Sequence, residues 1–219
     1  MTKDGDAGES EPRPKARPQV PATSYAFAVY MTKERWCSVW HQASLVAACA
    51  PGEMLEVGVG NGLMGFLCRD MGIRYRSIDL DEELGPDVVA SVQEIPLPDR
   101  SVDLACAFQV LEHLPYDDAR QGFRELCRVS RRDVLLSLPH ARWGLSMVLS
   151  LPILGTLRAI APSPLPPLGK MIPSHRWEIG RRGFPLRRIV ADFGSEARLL
   201  KTFRVPENPY HQFFHFRRS

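Results

Sequence analysis

Apolar and polar positions along the chain switch between two rhythms, and their order predicts repeated strand and helix units. Met54–Leu55–Glu56–Val57 is a strand-like run carrying one charge, followed by glycines at alternate positions, Gly58, Gly60 and Gly62, before a helical rhythm begins at Leu63. That rhythm stops at Gly72 and gives way to a second strand, Arg74 to Asp79. Shorter apolar runs at Asp87–Ser91, Leu104–Phe108 and Val134–Leu138 read as further strands. Asp117 and Asp118 open a helix through Val129 whose apolar Phe123, Leu126 and Val129 share one face, and another helix spans about Phe184 to Phe193. Residues 24–50 are also helical in pattern, with Trp36, Val39, Trp40, Ala43, Leu45 and Val46, and Pro51–Gly52 ends them. This segment reads either as a lid or as a plain packing helix for the tryptophans. Strands alternating with helices predict an α/β fold, doubly wound around a mostly parallel sheet.

Residues 1–23 are rich in proline and charge and offer little to bury, so they read as a disordered tail. The remainder, 24–219, is expected to form one domain with an apolar, proline-rich insertion or lid at 141–172. The formal net charge of +3 hides an asymmetry: residues 1–130 carry 13 basic and 20 acidic side chains, and residues 131–219 carry 15 and 5. A basic C-terminal part points to an anionic substrate, a membrane surface or nucleic acid. The 5 cysteines are widely spaced, odd in number and without a C-x-x-C pair, the pattern of reduced thiols in a cytoplasmic protein. No apolar stretch follows a basic start at the N-terminus, so a secretory signal is not expected.

The glycine turn carries the clearest chemistry. Its backbone N–H groups and the following helix start can come close to a ligand because no side chains intervene. Glu56, at the end of the strand, is expensive without a partner, and a cationic sulfonium cofactor with an amino group would supply one. A pyrophosphate would be repelled, so S-adenosylmethionine is favoured over a dinucleotide; the Gly-x-Gly-x-x-Gly pattern fits only if forced to start at Gly60. Asp79 ends the second strand 21 residues beyond Gly58, the offset at which a strand-end acid meets a ribose diol, although an acidic helix cap leading into Asp81 is the alternative. Val92 and Gln93 follow the third strand, where an adenine would lie, and Phe108 and Gln109 end the fourth, at the edge of the ligand crevice.

In residues 50–140 the chain resembles the class I S-adenosylmethionine-dependent methyltransferases, most closely the group that includes the quinone-biosynthesis enzymes. Four blocks in register carry the resemblance: Glu56 to Gly62, Ser77 to Leu80, Glu94 to Asp103, and Val110 to Leu114 followed by Arg124 to Val129. It implies a seven-stranded sheet ending in an antiparallel hairpin, here Glu196–Arg204 and Tyr210–Arg217. It also implies that Gly58, Gly60 and Gly62 cradle the methionine part of the cofactor. Asp79, with Leu80 beside it, would hold the ribose; Val92 and Gln93 would border adenine; Phe108 and Gln109 would lie beside the sulfonium. Ser91 stands where many members carry an acid, which puts the adenine contact in doubt.

The segments after the fifth strand usually shape the acceptor pocket in such enzymes. Residues 143–169 hold a single charge, Arg158, and their uncharged run is too short and too broken by proline to span a bilayer. They read as a peripheral membrane contact backed by Arg176, Arg181, Arg182, Arg187 and Arg188, or as an insertion packed on its own domain. Localisation follows as cytoplasmic, with the inner face of the membrane as the extension. His175, in Pro173 to Gly180, and His113 are the candidate general bases, with His140 third; Glu112 would fix the tautomer of His113, and His211 and His215 read as structural. No His/Asp/Glu cluster has metal-ligand spacing along the chain, and methyl transfer requires none. The function expected is methyl transfer to a small-molecule or lipid-linked acceptor, at oxygen or carbon rather than nitrogen. A cofactor-fold binding protein is the first alternative. Nucleic-acid methylation comes after it, since no Asn-Pro-Pro-Tyr motif follows the fourth strand, and a dinucleotide oxidoreductase comes last. The oligomeric state is not legible.

Overall fold

The computed structural model describes residues 18, 20–152, 155–167 and 169–218. Most of the expected N-terminal tail lies outside these, while Ala22–Tyr25 forms a 3-10 turn and Phe27–Tyr30 (α1) a single helical turn. The following helix, α2, is Lys33–Cys49, opened by Thr32, whose hydroxyl accepts from Arg35 N–H at 3.3 Å, and closed at Ala50 in the left-handed conformation. The repeated unit then runs β1 (Glu53–Val57), α3 (Leu63–Asp70), β2 (Arg74–Asp79), β3 (Val88–Val89), β4 (Val102–Phe108), α4 (Tyr116–Val129) and β5 (Ser130–Pro139). An antiparallel hairpin, β6 (Gly144–Leu151) and β7 (Gly155–Pro162), leaves the sheet. Helix α5 (Leu186–Gly194) and strands β8 (Ala197–Val205) and β9 (Asn208–Arg218) complete the chain.

The sheet has seven strands in the order β3-β2-β1-β4-β5-β9-β8, parallel except where β9 inserts antiparallel between β5 and β8. Every residue of β1 is buried, as expected of a central strand covered by helices on both faces. On one face α4 presents Ala119, Phe123 and Leu126, and Phe123 stacks on Phe193 of α5 with ring centroids 4.5 Å apart. On the other, Val46 of α2 and Met64 and Cys68 of α3 pack against Met54, Leu104, Leu135 and Phe213. The doubly wound fold is therefore as the pattern predicts.

Three expectations change. The third strand shrinks to two residues, since Asp87 turns back to accept from Ser77 N–H at 2.8 Å and from its hydroxyl at 2.9 Å. Trp36 and Trp40 are 49% and 59% exposed, so α2 is not a packing helix for them. The apolar insertion is a hairpin, with Pro152 just past the end of its first strand.

Candidate functional site

Strands β1, β2 and β4 end along one edge of the sheet, and a cavity of about 320 Å3 opens there. Its floor is Glu56, Gly58, Gly60, Asp79, Phe108 and Gln109, which meet because parallel strands bring their carboxyl ends to the same side. At Gly58 a side chain is excluded for steric reasons: a Cβ there would overlap Val110 Cγ2, and its φ of +88° disfavours any other residue. A smaller cleft of about 110 Å3 continues past Asp79 along Leu80, Ser91 and Val92. The roof comes from the N-terminal segment, where the ring of Tyr25 stands 3.8 Å from the Cβ position of Gly60 and Tyr30 and Arg35 add to the wall. This segment therefore covers the cavity, with Tyr25 and Tyr30 in its lining.

Two carboxylates face this space with different support. Asp79 is fixed by the turn itself, Oδ2 accepting from Val59 N–H at 2.8 Å and Oδ1 from Asp81 N–H at 3.0 Å. Glu56 is 4% exposed and accepts from the Tyr75 hydroxyl, and burial pushes its pKa up to about 8. Gln109 takes a positive φ of 57°, held by its N–H to Ser137 O at 3.0 Å and its side-chain amide to Ser137 Oγ at 3.2 Å. A non-glycine residue in that conformation at a strand end marks a place where position matters more than local strain.

The opposite wall is polar and buried. His113 Nδ1 lies 3.1 Å from Ser174 O, and His175 Nδ1 lies 3.0 Å from Glu178 Oε1. The tautomer of His113 is thus set by a backbone carbonyl and not by its neighbour Glu112. Desolvation lowers the pKa of both imidazoles. Glu178 is held in turn by Arg181 Nε at 2.7 Å and the Tyr210 hydroxyl at 2.8 Å. Trp177, between them, turns away into the core, its Nε1–H donating to Leu114 O at 3.1 Å. Glu112 also lines the cavity, and its side chain is fully buried with neither oxygen hydrogen-bonded.

Of the positions singled out in the sequence, Glu56, Gly58, Gly60, Asp79, Phe108, Gln109, His113 and His175 line the main cavity, and Leu80 and Val92 the adjoining cleft. Gly62 and Gln93 do not: Gly62 caps α3 at a φ of 73°, and Gln93 turns toward α4, where its carbonyl accepts from Gln121. His140 lies outside too, against Ile179, with burial lowering its pKa to about 4. His211 reaches the cavity wall although it reads as structural in the sequence. Neither Glu112 as a cavity residue nor the meeting of His113 with His175 is visible along the chain, because 62 positions separate the two histidines.

Residues 55–138 match the model of the methyltransferase domain family. A probable S-adenosylmethionine-dependent methyltransferase of Mycolicibacterium smegmatis is 38% identical over 97 residues, which cover 40% of this chain and 37% of the relative. The chain thus spans little more than a third of that protein's length. Among solved structures, a Pyrococcus horikoshii protein superposes with a TM-score of 0.62 at 11% identity, covering 91% of this chain and 100% of its own. A Burkholderia thailandensis 1,6-didemethyltoxoflavin-N1-methyltransferase superposes with a TM-score of 0.58 at 15% identity, over 90% and 84% of the two chains. Over residues 55–138 the chain is thus similar in sequence to the methyltransferase-domain family, and its fold is like that of the Pyrococcus protein and the Burkholderia methyltransferase.

Proposed function

We propose that the protein is an S-adenosylmethionine-dependent methyltransferase acting on a small-molecule or lipid-linked acceptor, at oxygen or carbon. The observation that carries this reading is the pairing, in one cavity, of a side-chain-free turn at Gly58 and Gly60 with the buried Glu56. Such a carboxylate is stable as an anion only beside a cation, and the amino group of a methionine moiety is one of the right size and charge. Asp79, already oriented by two backbone N–H groups, keeps lone pairs for a ribose diol, and the cleft along Leu80 and Val92 suits a flat base. When bound, the cofactor supplies a methyl group: the carbon–sulfur bond breaks with its electron pair passing to sulfur as the acceptor–carbon bond forms. The chain's part is to hold both partners in line and to exclude water. Tyr25 and Tyr30 cover the cavity, and His113 and His175, neutral through burial, face the acceptor side. The Burkholderia enzyme, crystallised with 1,6-didemethyltoxoflavin and S-adenosylhomocysteine, supports an acceptor of modest size.

Titration calorimetry with S-adenosylhomocysteine tests the reading. We expect binding in the micromolar range, abolished by Gly60→Arg and Asp79→Ala and weakened about tenfold, or about 1.4 kcal/mol, by Glu56→Gln. A folded wild type that does not bind contradicts it.

A lipid-linked acceptor is supported by the hairpin β6–β7, whose Leu145, Met147, Val148, Leu149, Leu151 and Leu157 are between 39% and 73% exposed. Its one charge, Arg158, is tied to Glu207 at 3.2 Å. A two-stranded hairpin this apolar is marginal in water and gains by resting in a lipid interface. No helix among the described residues is long and apolar enough to cross a membrane. Sedimentation with anionic phospholipid vesicles should carry down the wild type and not a Leu145→Glu, Leu149→Glu variant.

A further inference from the structure

Glu112, His113 and His175 each present one ligand-capable atom, and the three atoms lie within 4.8 Å of one another. Glu112 is fully buried, and neither of its carboxylate oxygens has a hydrogen-bond partner. A carboxyl group left like this in an interior costs stability unless something comes to it.

Each imidazole is anchored by the protein through its Nδ1. Ser174 O can only accept, so His113 Nδ1 donates to it and the ring's lone pair sits on Nε2. His175 Nδ1 likewise donates to Glu178, which also accepts from Arg181 and the Tyr210 hydroxyl. A carbonyl or carboxylate behind each imidazole is the support that metal-ligating histidines have in proteins. The two rings also pack edge to face, with centroids 5.0 Å apart at 83°.

A second grouping, Cys49, Asp133 and His215, shows the contrast. There Asp133 accepts from Arg132, His215 and Arg217 at 2.8 to 3.2 Å, so its charge is already met. Among the described residues, Glu112 has no such cation paired with it.

We propose that Glu112, His113 and His175 form a binding site for a divalent first-row transition metal ion on the acceptor side of the cavity. Two imidazoles and one carboxylate leave coordination positions open, and the nitrogen donors favour manganese, iron, cobalt or zinc over magnesium. The imidazoles then serve as ligands and not as general bases. That the open positions take the acceptor's oxygen rests on the methyltransferase reading. In that role the ion would lower the pKa of an acceptor hydroxyl, so that its proton would leave to bulk solvent before the cavity closes and the oxygen accepts the methyl group.

The test is metal binding itself. The chelator-stripped full-length chain is titrated with Co2+ and Zn2+, following the visible absorption of bound Co2+ and the heat of Zn2+ binding. Wild type, Glu112→Gln, His175→Gln and Asp133→Asn are compared, each checked for folding by circular dichroism. One equivalent per chain is expected, with affinity falling at least tenfold in Glu112→Gln and His175→Gln and unchanged in Asp133→Asn. If Glu112→Gln does not fold, His175→Gln, on a loop, decides alone. A folded wild type that takes up no ion at millimolar concentration overturns the site, as does uptake unaltered by either variant. S-adenosylhomocysteine binding is measured on the same samples: its failure with metal binding intact would remove the cofactor reading and leave the metal site standing.

Discussion

Asp133 and Glu112 are both fully shielded from solvent, yet the fold treats them in opposite ways. Asp133, on β5, faces Arg217 across the antiparallel ladder of β9, and Arg132 and His215 close around it. Glu112 follows β4 at the sheet edge where the cavity opens, beside His113 and His175, and among the described residues no cation pairs with it. The first is a completed network that ties the last strand to the sheet. The second is an incomplete one, and incompleteness in a buried position is what a binding site looks like before its ligand arrives.

The largest effect that sharpens this comparison is the loss of the completed network. Asp133→Ala should destabilise the fold by about 3 kcal/mol, since removing one partner strands the others, with the half-exposed guanidiniums keeping the cost from rising further. Urea denaturation measures it, and a loss below about 1 kcal/mol would mean that the network does not hold β9. Metal should act on the other site with nearly equal size. At a free concentration of 100 times Kd, a bound ion raises stability by about 2.7 kcal/mol, an increment expected in wild type and absent in Glu112→Gln.

Acid is the next lever. The partners of Asp133 hold its pKa below the ordinary carboxylate range in the folded state. Its contribution is therefore complete above the unfolded value of about 4 and is lost as pH falls through the folded one. Denaturation midpoints of wild type and Asp133→Asn should converge as pH is lowered from about 5 toward 3. Parallel curves would show that the carboxylate is not titrating against its partners.

The sequence makes the sheet and the cofactor end of the cavity legible because their signals are local. The run Met54–Val57, the glycines at alternate positions and Asp79 at the next strand end are all set by a single strand–turn–helix–strand unit. The opposite end of the cavity is assembled from three distant pieces: Tyr25 and Tyr30 near the tail, Glu112 and His113 after β4, and His175 beyond the hairpin. No spacing rule connects residues that only tertiary structure brings together. The hairpin is hidden for another reason. Leu145, Met147, Leu149 and Leu151 of β6 do alternate with Gly144, Ser146 and Ser150, but β7 keeps no such rhythm and the prolines around it make the whole stretch read as an irregular apolar run.

The smallest predicted effect is also the most discriminating, because its sign is unusual. Most core substitutions destabilise, but Glu112→Leu should leave the metal-free protein as stable as wild type or more stable by about 1 kcal/mol. Leucine fills a similar volume and removes a carboxyl group whose oxygens meet no donor. With chelator present, the variant's urea midpoint should match or exceed that of wild type at an unchanged slope, whereas saturating Zn2+ should reverse the order by stabilising wild type alone. A drop of more than about 1 kcal/mol in chelator would show that the carboxylate is already satisfied by the protein, and the contrast with Asp133 would disappear.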